Sequence, residues 1–210
     1  AEKGREEFSC PLRLTRCQRC GLVQLTHVVP PDLMFKHYLY VSSTTKTFQV
    51  HFADYAKVVR KKLNNVENPV SVDIGSNDGL LVSECDNQGM VALGVDPATN
   101  LAEAANKQGR RTLNRYFDAE CVKQITRDYG KAHAITANNV FAHIDDIQSV
   151  CRNVYDLLED DGIFVIEFPY LLTMLADMTF DMIYHEHVSY IALNPLKFLL
   201  NRFGMKIFDV

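Results

Sequence analysis

The sequence lacks the features that would assign it to a membrane, to export or to nucleic acid. No apolar run approaches the roughly 18 residues that a membrane span needs, and the charged opening AEKGREEF is unlike a signal peptide. Its 22 basic residues do not outnumber the 26 acidic ones, so the net charge of −4 does not favour a nucleic-acid partner. Six cysteines in 210 residues require no disulfide framework. We therefore expect a reduced, cytoplasmic protein without a membrane or nucleic-acid partner, and its oligomeric state stays open.

From Val70 onward, strand and helix patterns alternate. Strands are predicted at 70–74, 91–95, 111–114, 133–138 and 162–168, and helices at 79–87, 98–108, 118–128, 145–158 and 196–203. This alternation predicts an α/β fold with a doubly wound, Rossmann-like parallel sheet. A last strand is expected at 205–210. Because it would end the chain, and because the chain starts without Met, we expect a fragment of a longer protein.

A glycine-rich turn, VDIGSNDG, follows the first predicted strand. Strand, glycine turn and helix open a nucleotide-binding unit, because glycine admits positive φ and the helix start offers free N–H groups. The dinucleotide motif needs a middle glycine, but Ser76 and Asn77 stand there, which disfavours NAD. Asp96 ends the second strand and can accept both ribose hydroxyls of S-adenosylmethionine (SAM), so SAM is favoured, with NAD or a plain tight turn as alternatives. The predicted cofactor-binding residues follow strand ends: Asp73, Gly75, Ser76, Asn77, Gly79, Asp96, Pro97, Asn138 and Asn139.

Near the N-terminus, Cys17 and Cys20 form a C-x-x-C pair followed by glycine. This is half of a zinc knuckle, because two thiolates at this spacing can bind one tetrahedral ion. Cys10 and His27 could add ligands, although the spacing is not standard and a second C-x-x-C pair is missing. Two ordinary cysteines or a redox pair remain alternatives.

A hydroxyl-rich run precedes a predicted helix over 48–63. Its side chains could bind phosphate or sugar groups, or they could cap the helix, since Ser and Thr favour helix starts. Both roles are compatible. The predicted substrate-binding residues are Tyr38, Tyr40, Ser42 and Ser43.

The densest ionisable cluster is the segment YHEHVSY. His185, Glu186 and His187 suit general acid–base chemistry because histidine titrates near neutral pH. A metal site is an alternative, although the helical H-E-x-x-H spacing is absent, and so is a plain surface loop. His143 follows the fourth strand of the predicted sheet and is placed to face the cofactor cleft.

Six segments of the chain together resemble the SAM-dependent sugar C-methyltransferases, which act on nucleotide-linked 4-keto-deoxysugars. They are CQRCGLVQL, VVPPDLMFKHYLYVSST, VDIGSNDG, ANNVFAHIDD, IEFPYL and YHEHVSYIAL. The resemblance implies a zinc module with two Cys pairs, a central methyltransferase domain and a C-terminal domain. This chain then comprises a partial zinc-binding module (1–32), a linker with a helical substrate-site segment (33–68) and a SAM-binding domain (69–210) without the C-terminal part.

The resemblance also implies a mechanism, in which a base removes the C3 proton of the 4-keto sugar. His187 or His143 is expected to be that base. Glu186 would orient a histidine, and Tyr184 would hydrogen-bond the enolate oxygen or the sugar, beside Tyr38 or Tyr40. The alternatives are methylation of another acceptor at oxygen or nitrogen, an inactive SAM-binding fragment, and an NAD-dependent sugar enzyme.

Overall fold

The computed structural model describes residues 8–210, which form a parallel sheet and a small antiparallel sheet. The strands are β1 (Leu14–Arg16), β2 (Val23–Leu25), β3 (Val70–Ile74), β4 (Val91–Val95), β5 (Thr112–Leu113), β6 (Ala132–Asn138), β7 (Leu158–Glu167) and β8 (Ser189–Tyr190). The helices are α1 (Pro31–Phe35), α2 (Lys46–Lys62), α3 (Leu80–Asn87), α4 (Thr99–Lys107), α5 (Ala119–Tyr129), α6 (Ile147–Leu157), α7 (Leu171–Ala176) and α8 (Leu193–Asn201).

The larger sheet has the strand order β5-β4-β3-β6-β7, and all its pairs are parallel. The chain runs outward from β3 through β4 to β5, then returns to the other side of β3 and continues through β6 to β7. The strand order therefore reverses at β3. Open α/β sheets bind ligands outside the carboxyl ends of their strands at such a reversal, which locates the candidate site.

Apolar side chains fill both faces of this sheet, because parallel strands are covered by helices on both sides. All five residues of β3 are buried. One face packs Val72 and Ile135 against α6 residues such as Leu157, and the other packs Ala92 against Phe52 of α2. Helix α2 is thus part of the core of the parallel sheet and carries its own side chains to the edge of the site.

The small sheet joins distant parts of the sequence. Strand β2 pairs antiparallel with β1 and also with β8, where Val23 faces Tyr190 and Gln24 faces Ser189. The cysteine-containing hairpin therefore packs directly beside the histidine-rich segment. None of the short strands is amphipathic over enough residues to be predicted from its pattern alone.

The predicted α/β doubly wound fold is confirmed, and β3 and β4 have the predicted bounds. The predicted strand at 205–210 is wrong, because no described strand lies beside it to supply a ladder of hydrogen bonds. This segment instead packs Met205 and Ile207 on the core, and Asp209 pairs with Lys62 of α2 at 2.5 Å. Among the described residues, no helix is long and apolar enough to span a membrane.

Candidate active site

A cavity of about 1100 Å³ opens at the carboxyl ends of β3, β4 and β6. Its walls include the glycine-rich loop with the ends of β3 and β4, the segment after β6, and residues 30–45, which we call the strap. The histidine-rich segment contributes Tyr184 and His187, and residues 115–119, α2 and α6 supply further side chains. The fold thus brings together, in one cavity, segments that lie up to about 150 residues apart in the sequence.

The glycine-rich loop brings its backbone to the cavity wall. Gly75 has φ of +68°, and a Cβ built there would lie 2.6 Å from Cγ2 of Val140. Asn77, which replaces the middle glycine of the dinucleotide motif, also has positive φ, at 53°. Asparagine tolerates this left-handed region better than most residues, so the loop keeps its turn while gaining an amide.

Asp96 organises the loop from the end of β4. Its Oδ2 accepts from the Asn77 backbone N–H at 2.7 Å, and its Oδ1 accepts from the Ala98 N–H at 2.8 Å. Burial raises the pKa of Asp96 to about 6 although these two hydrogen bonds oppose the rise. Asp96 and the adjacent Pro97 line the cavity, where a carboxylate can meet ribose hydroxyls.

Three predicted cofactor-binding residues lie behind the cavity wall. Asp73 is buried and accepts a 2.6 Å hydrogen bond from Oγ1 of Thr136, and desolvation raises its pKa to about 7. Ser76 packs against Gly94, where an added Cβ would lie 2.4 Å from its Oγ. Gly79 begins α3 at φ of 75°. The side chains of Asp73 and Ser76 and the backbone of Gly79 therefore shape the loop from behind.

Asn138 and Asn139 line the cavity after β6. Within the described residues, both side-chain polar atoms of Asn138 are buried without a hydrogen-bond partner. A buried amide is costly unless it is paired, so Asn138 is suited to a polar ligand group. Together with the close backbone at Gly75 and the carboxylate of Asp96, it fits a nucleoside joined to an amino acid, as in SAM.

The strap supplies the opposite wall. Tyr38, Tyr40 and Ser42 line the cavity, but Ser43 does not, and its carbonyl accepts a hydrogen bond from Gln49 Nε2. The hydroxyl-rich run also caps a helix, as the alternative proposed: the hydroxyl of Thr45 accepts a hydrogen bond from the backbone N–H of Phe48 at the start of α2.

His187 and Tyr184 form a hydrogen-bonded pair on the cavity wall. Nδ1 of His187 lies 2.8 Å from the carbonyl oxygen of Met182, so it must carry the proton. Nε2 then has its lone pair free to accept from the Tyr184 hydroxyl at 3.0 Å. His187 is only 5% exposed, whereas Tyr184 is the more open of the two. The pair presents the Tyr184 hydroxyl to the cavity with the His187 imidazole behind it.

His143 lies beside this pair. Its ring centroid is 5.1 Å from that of His187, and its other side stacks on Phe35 of α1. Burial, aided by the neighbouring His187, lowers the pKa of His143 to about 4. His143 is therefore neutral at physiological pH, and its lowered pKa makes it a weaker base than an ordinary imidazole.

Glu186 and His185 differ from the expectation. Glu186 does not contact an imidazole: its Oε2 accepts from the Tyr38 hydroxyl at 2.9 Å, so the predicted orientation of a histidine by Glu186 is wrong. His185 does not line the cavity, and its Nε2 lies 3.0 Å from the carbonyl oxygen of Cys10. Residues 184–187 form a turn that is closed by a hydrogen bond from the His187 N–H to the Tyr184 carbonyl at 3.1 Å, and this turn directs His185 away from the cavity toward Cys10.

Cys17 and Cys20 lie in the tight turn between β1 and β2. The N–H of Gly21 donates to the Cys17 carbonyl at 3.0 Å, and hydrogen bonds from Cys20 and its neighbours lower the Cys17 pKa. Across residues 8–210, no three His, Cys, Asp or Glu side chains gather into a metal-binding group, so Cys10 and His27 do not complete a site. A zinc ion needs four ligands, and the described residues supply two.

Sequence reasoning missed three polar contacts around the cavity. Nε2 of His51, on α2, lies 2.7 Å from Oε2 of Glu167 at the end of β7. The other oxygen of Glu167 accepts from Asn139. The side-chain amide of Asn100, on α4, donates a hydrogen bond to the Tyr38 carbonyl in the strap. Each pair joins residues that are 28 to 116 positions apart, and no local spacing indicates such a pairing.

Comparison with known proteins supports this description. A family model described as "Methyltransferase domain" matches residues 50–210, and one described as "Putative zinc binding domain" matches residues 1–35. The chain is 37% identical to the C-methyltransferase NovU of Streptomyces niveus over 95% of its own length and 48% of NovU. It therefore spans about half the length of that relative.

Two solved structures share the fold. A SAM-dependent methyltransferase from Archaeoglobus fulgidus superposes with a TM-score of 0.58 at 17% identity, covering 75% of this chain and 72% of that one. The plantazolicin methyltransferase BamL, solved in complex with a triazolic desmethylPZN analogue and S-adenosylhomocysteine (SAH), gives a TM-score of 0.60 at 14% identity, covering 75% of this chain and 63% of that one. The chain belongs to the methyltransferase-domain family and has the fold of SAM-dependent methyltransferases.

Proposed function

We propose that this chain is the cofactor-binding and catalytic part of a SAM-dependent C-methyltransferase whose acceptor is a nucleotide-linked 4-keto-deoxysugar. The observation that carries the proposal is the hydrogen-bonded pair of Tyr184 and His187 on the cavity wall, with a second imidazole, that of His143, beside it. Methylation at carbon requires a base, whereas an acceptor hydroxyl or amine already has a lone pair. The 37% identity to a C-methyltransferase supports the same choice.

SAM supplies an electrophilic methyl group when it is bound. Asp96, Asn138 and the backbone at Gly75 are the groups placed to hold it, because they line the cavity at the carboxyl ends of β3, β4 and β6. Asn139 adds a further amide at the same edge. This group of residues accounts for the cofactor side of the cavity.

On the acceptor side, Nε2 of His187 is the proposed base. It removes the C3 proton adjacent to the 4-keto group, and the electrons of that C–H bond become the enolate. The Tyr184 hydroxyl turns from Nε2 to donate a hydrogen bond to the enolate oxygen. Across the cavity, the Tyr38 hydroxyl is held by Glu186 at 2.9 Å, which fixes it as a contact for the sugar.

Hydrogen exchange at C3 tests this proposal separately from methyl transfer. The protein is incubated in D₂O with SAH and a thymidine-diphosphate-linked 4-keto-6-deoxyhexose, and the sugar is followed by NMR. Loss of the C3 proton signal is expected with the wild-type chain. A full C3 signal, together with O- or N-methylation of other acceptors when SAM is supplied, would contradict the proposal. SAH binding without either reaction would favour an inactive cofactor-binding part.

Two further features belong to the proposal. We infer that Cys17 and Cys20 are half of a structural zinc site, supported by the family model over residues 1–35 and by the lowered pKa of Cys17. Metal analysis of a longer chain, with and without both cysteines, tests it. All six cysteines are free thiols, which is compatible with the cytoplasm.

A further inference from the structure

The strap is fastened to the cofactor side of the cavity by two asparagine side chains, each of which bonds its backbone twice. Asn100 accepts from the Tyr38 N–H at 3.2 Å and donates to the Tyr38 carbonyl at 2.8 Å. Asn77 accepts from the Ser42 N–H and donates to the Tyr40 carbonyl, both at 2.9 Å. We call these four hydrogen bonds the amide clamp.

Both asparagines belong to elements that Asp96 holds. One oxygen of Asp96 accepts from the Asn77 N–H, and the other accepts from Ala98, the residue just before α4. The first N–H of α4, at Thr99, donates to the Lys36 carbonyl of the strap. The predicted ribose-binding carboxylate and the strap are therefore linked through one loop and one helix start.

The clamp also sets the position of the acceptor-side tyrosine. Asn100 grips the backbone of Tyr38 itself, and the hydroxyl of that residue reaches Glu186 on the far wall. Leu39, the next residue, is 93% exposed, and aromatic contacts lie on either side of it, between Tyr38 and Phe35 and between Tyr40 and Phe48. The hydrogen bonds of the amide clamp add to this packing and join the strap to α4 and the glycine-rich loop.

We propose that Asn100 is a positioning residue that couples cofactor binding to the acceptor side of the cavity. It does not line the cavity, so it acts through Tyr38 and not by touching either ligand. A ligand that orders Asp96 and the start of α4 also orders the strap. The coupling to an acceptor rests on the proposed function, but the coupling to the cofactor does not.

Hydrogen exchange measured by mass spectrometry tests the clamp directly, since the Tyr38 and Ser42 amides are its donors. The wild type, Asn100→Ala and the control Asn87→Ala are compared with and without SAH. Asn87 is also an exposed helical asparagine, and within residues 8–210 its side chain makes a single hydrogen bond, to Glu84 at 3.4 Å. Two lost hydrogen bonds of ordinary net strength change an opening equilibrium by roughly tenfold.

We expect about tenfold faster exchange over residues 37–44 in Asn100→Ala, with SAH no longer slowing it. SAH should still slow amide exchange over residues 70–80. A substitution that simply disrupted the fold of the cofactor site would abolish this protection as well. In Asn87→Ala both responses should match the wild type. Unchanged strap exchange in Asn100→Ala, or parallel loss of protection in the strap and the glycine-rich loop, would overturn the proposal.

The acceptor arm uses the thymidine-diphosphate-linked 4-keto-6-deoxyhexose. Asn100→Ala should raise KM for this sugar about tenfold and lower kcat less, whereas Asn100→Asp, which keeps the acceptor oxygen for Tyr38, should recover part of the loss. A fall in kcat at unchanged KM would contradict a positioning role. If the wild type does not act on this sugar, the proposed function fails while the exchange result still decides the coupling to the cofactor.

Discussion

Replacing His187 separates its two hydrogen bonds and so tests the proposed base. In His187→Asn, the shorter amide can still donate to the Met182 carbonyl, as Nδ1 does at 2.8 Å. In His187→Gln, the longer amide reaches toward Tyr184, which now bonds Nε2 at 3.0 Å. Neither amide is a base at neutral pH. Both variants should therefore lose at least about 10²-fold in kcat, the lower end of the usual contribution of general base catalysis.

The stability cost of the two substitutions should be modest. Loss of one hydrogen bond costs about 0.5–1.5 kcal/mol net, and a buried group left unpaired costs about 1–3 kcal/mol. Domains are typically stable by about 5–15 kcal/mol, so both variants should stay folded. Urea denaturation and calorimetric titration with SAH measure stability and cofactor affinity, and SAH affinity should match the wild type.

The outcome is decided by comparing these measurements. Turnover of His187→Gln within about threefold of the wild type would refute the assignment of His187 as the base. A loss of SAH affinity in parallel with turnover would show that the residue supports the fold of the cavity instead. His185→Asn is the matched comparison, because its imidazole faces the Cys10 carbonyl outside the cavity wall, and a much smaller effect is expected there.

Three further predictions follow from single contacts. Gly75→Ala should lower the free energy of unfolding by about 1–2 kcal/mol because of its positive φ, and by about 1–3 kcal/mol more because the new Cβ overlaps Val140. Gly109 also has a positive φ, but nothing lies within 4 Å of a Cβ added there. Urea denaturation of Gly109→Ala should therefore show only the first of these two losses. Asp96→Asn should weaken SAH binding by about 1–3 kcal/mol through unpaired polar groups, and an unchanged calorimetric affinity would exclude Asp96 from the site. His143 has its pKa lowered from 6.5 to about 4, so at this group the folded state binds fewer protons than the unfolded state, and its contribution to the free energy of unfolding rises with pH between about 4 and 6.5. The raised pKa values of Asp73 and Asp96 contribute a fall as pH rises over an overlapping range. His143→Asn should remove only the rising contribution, so the free energy of unfolding at pH 7 minus that at pH 4.5 should be smaller than in the wild type, and an unchanged difference would contradict the lowered pKa.

Much of the fold was predictable because its signals are local. Buried parallel strands are continuous apolar runs, and the helices between them show one apolar face, so β3, β4 and the adjacent helices are predictable to within a few residues. The glycine-rich loop was recognisable for the same reason, since Gly75 needs a positive φ and a close approach that few other residues permit. The small sheet was not predictable, because its two- and three-residue strands are defined only by their partners.

The sequence by itself determined the fold class, the order of the strands along the chain, and a list of polar residues at strand ends from which the cavity is made. Only the tertiary structure decided how those residues divide: Asn138 and Asp96 on the wall, Asp73 and Ser76 behind it, Glu186 bonded to Tyr38 and His187 to Tyr184. The physical reason is that hydrogen-bond partners are chosen by distance and direction in space, whereas sequence patterns carry only the local periodicity of the backbone. Contacts across 148 residues, such as that of Tyr38 with Glu186, exist only after the strap has been laid across the sheet.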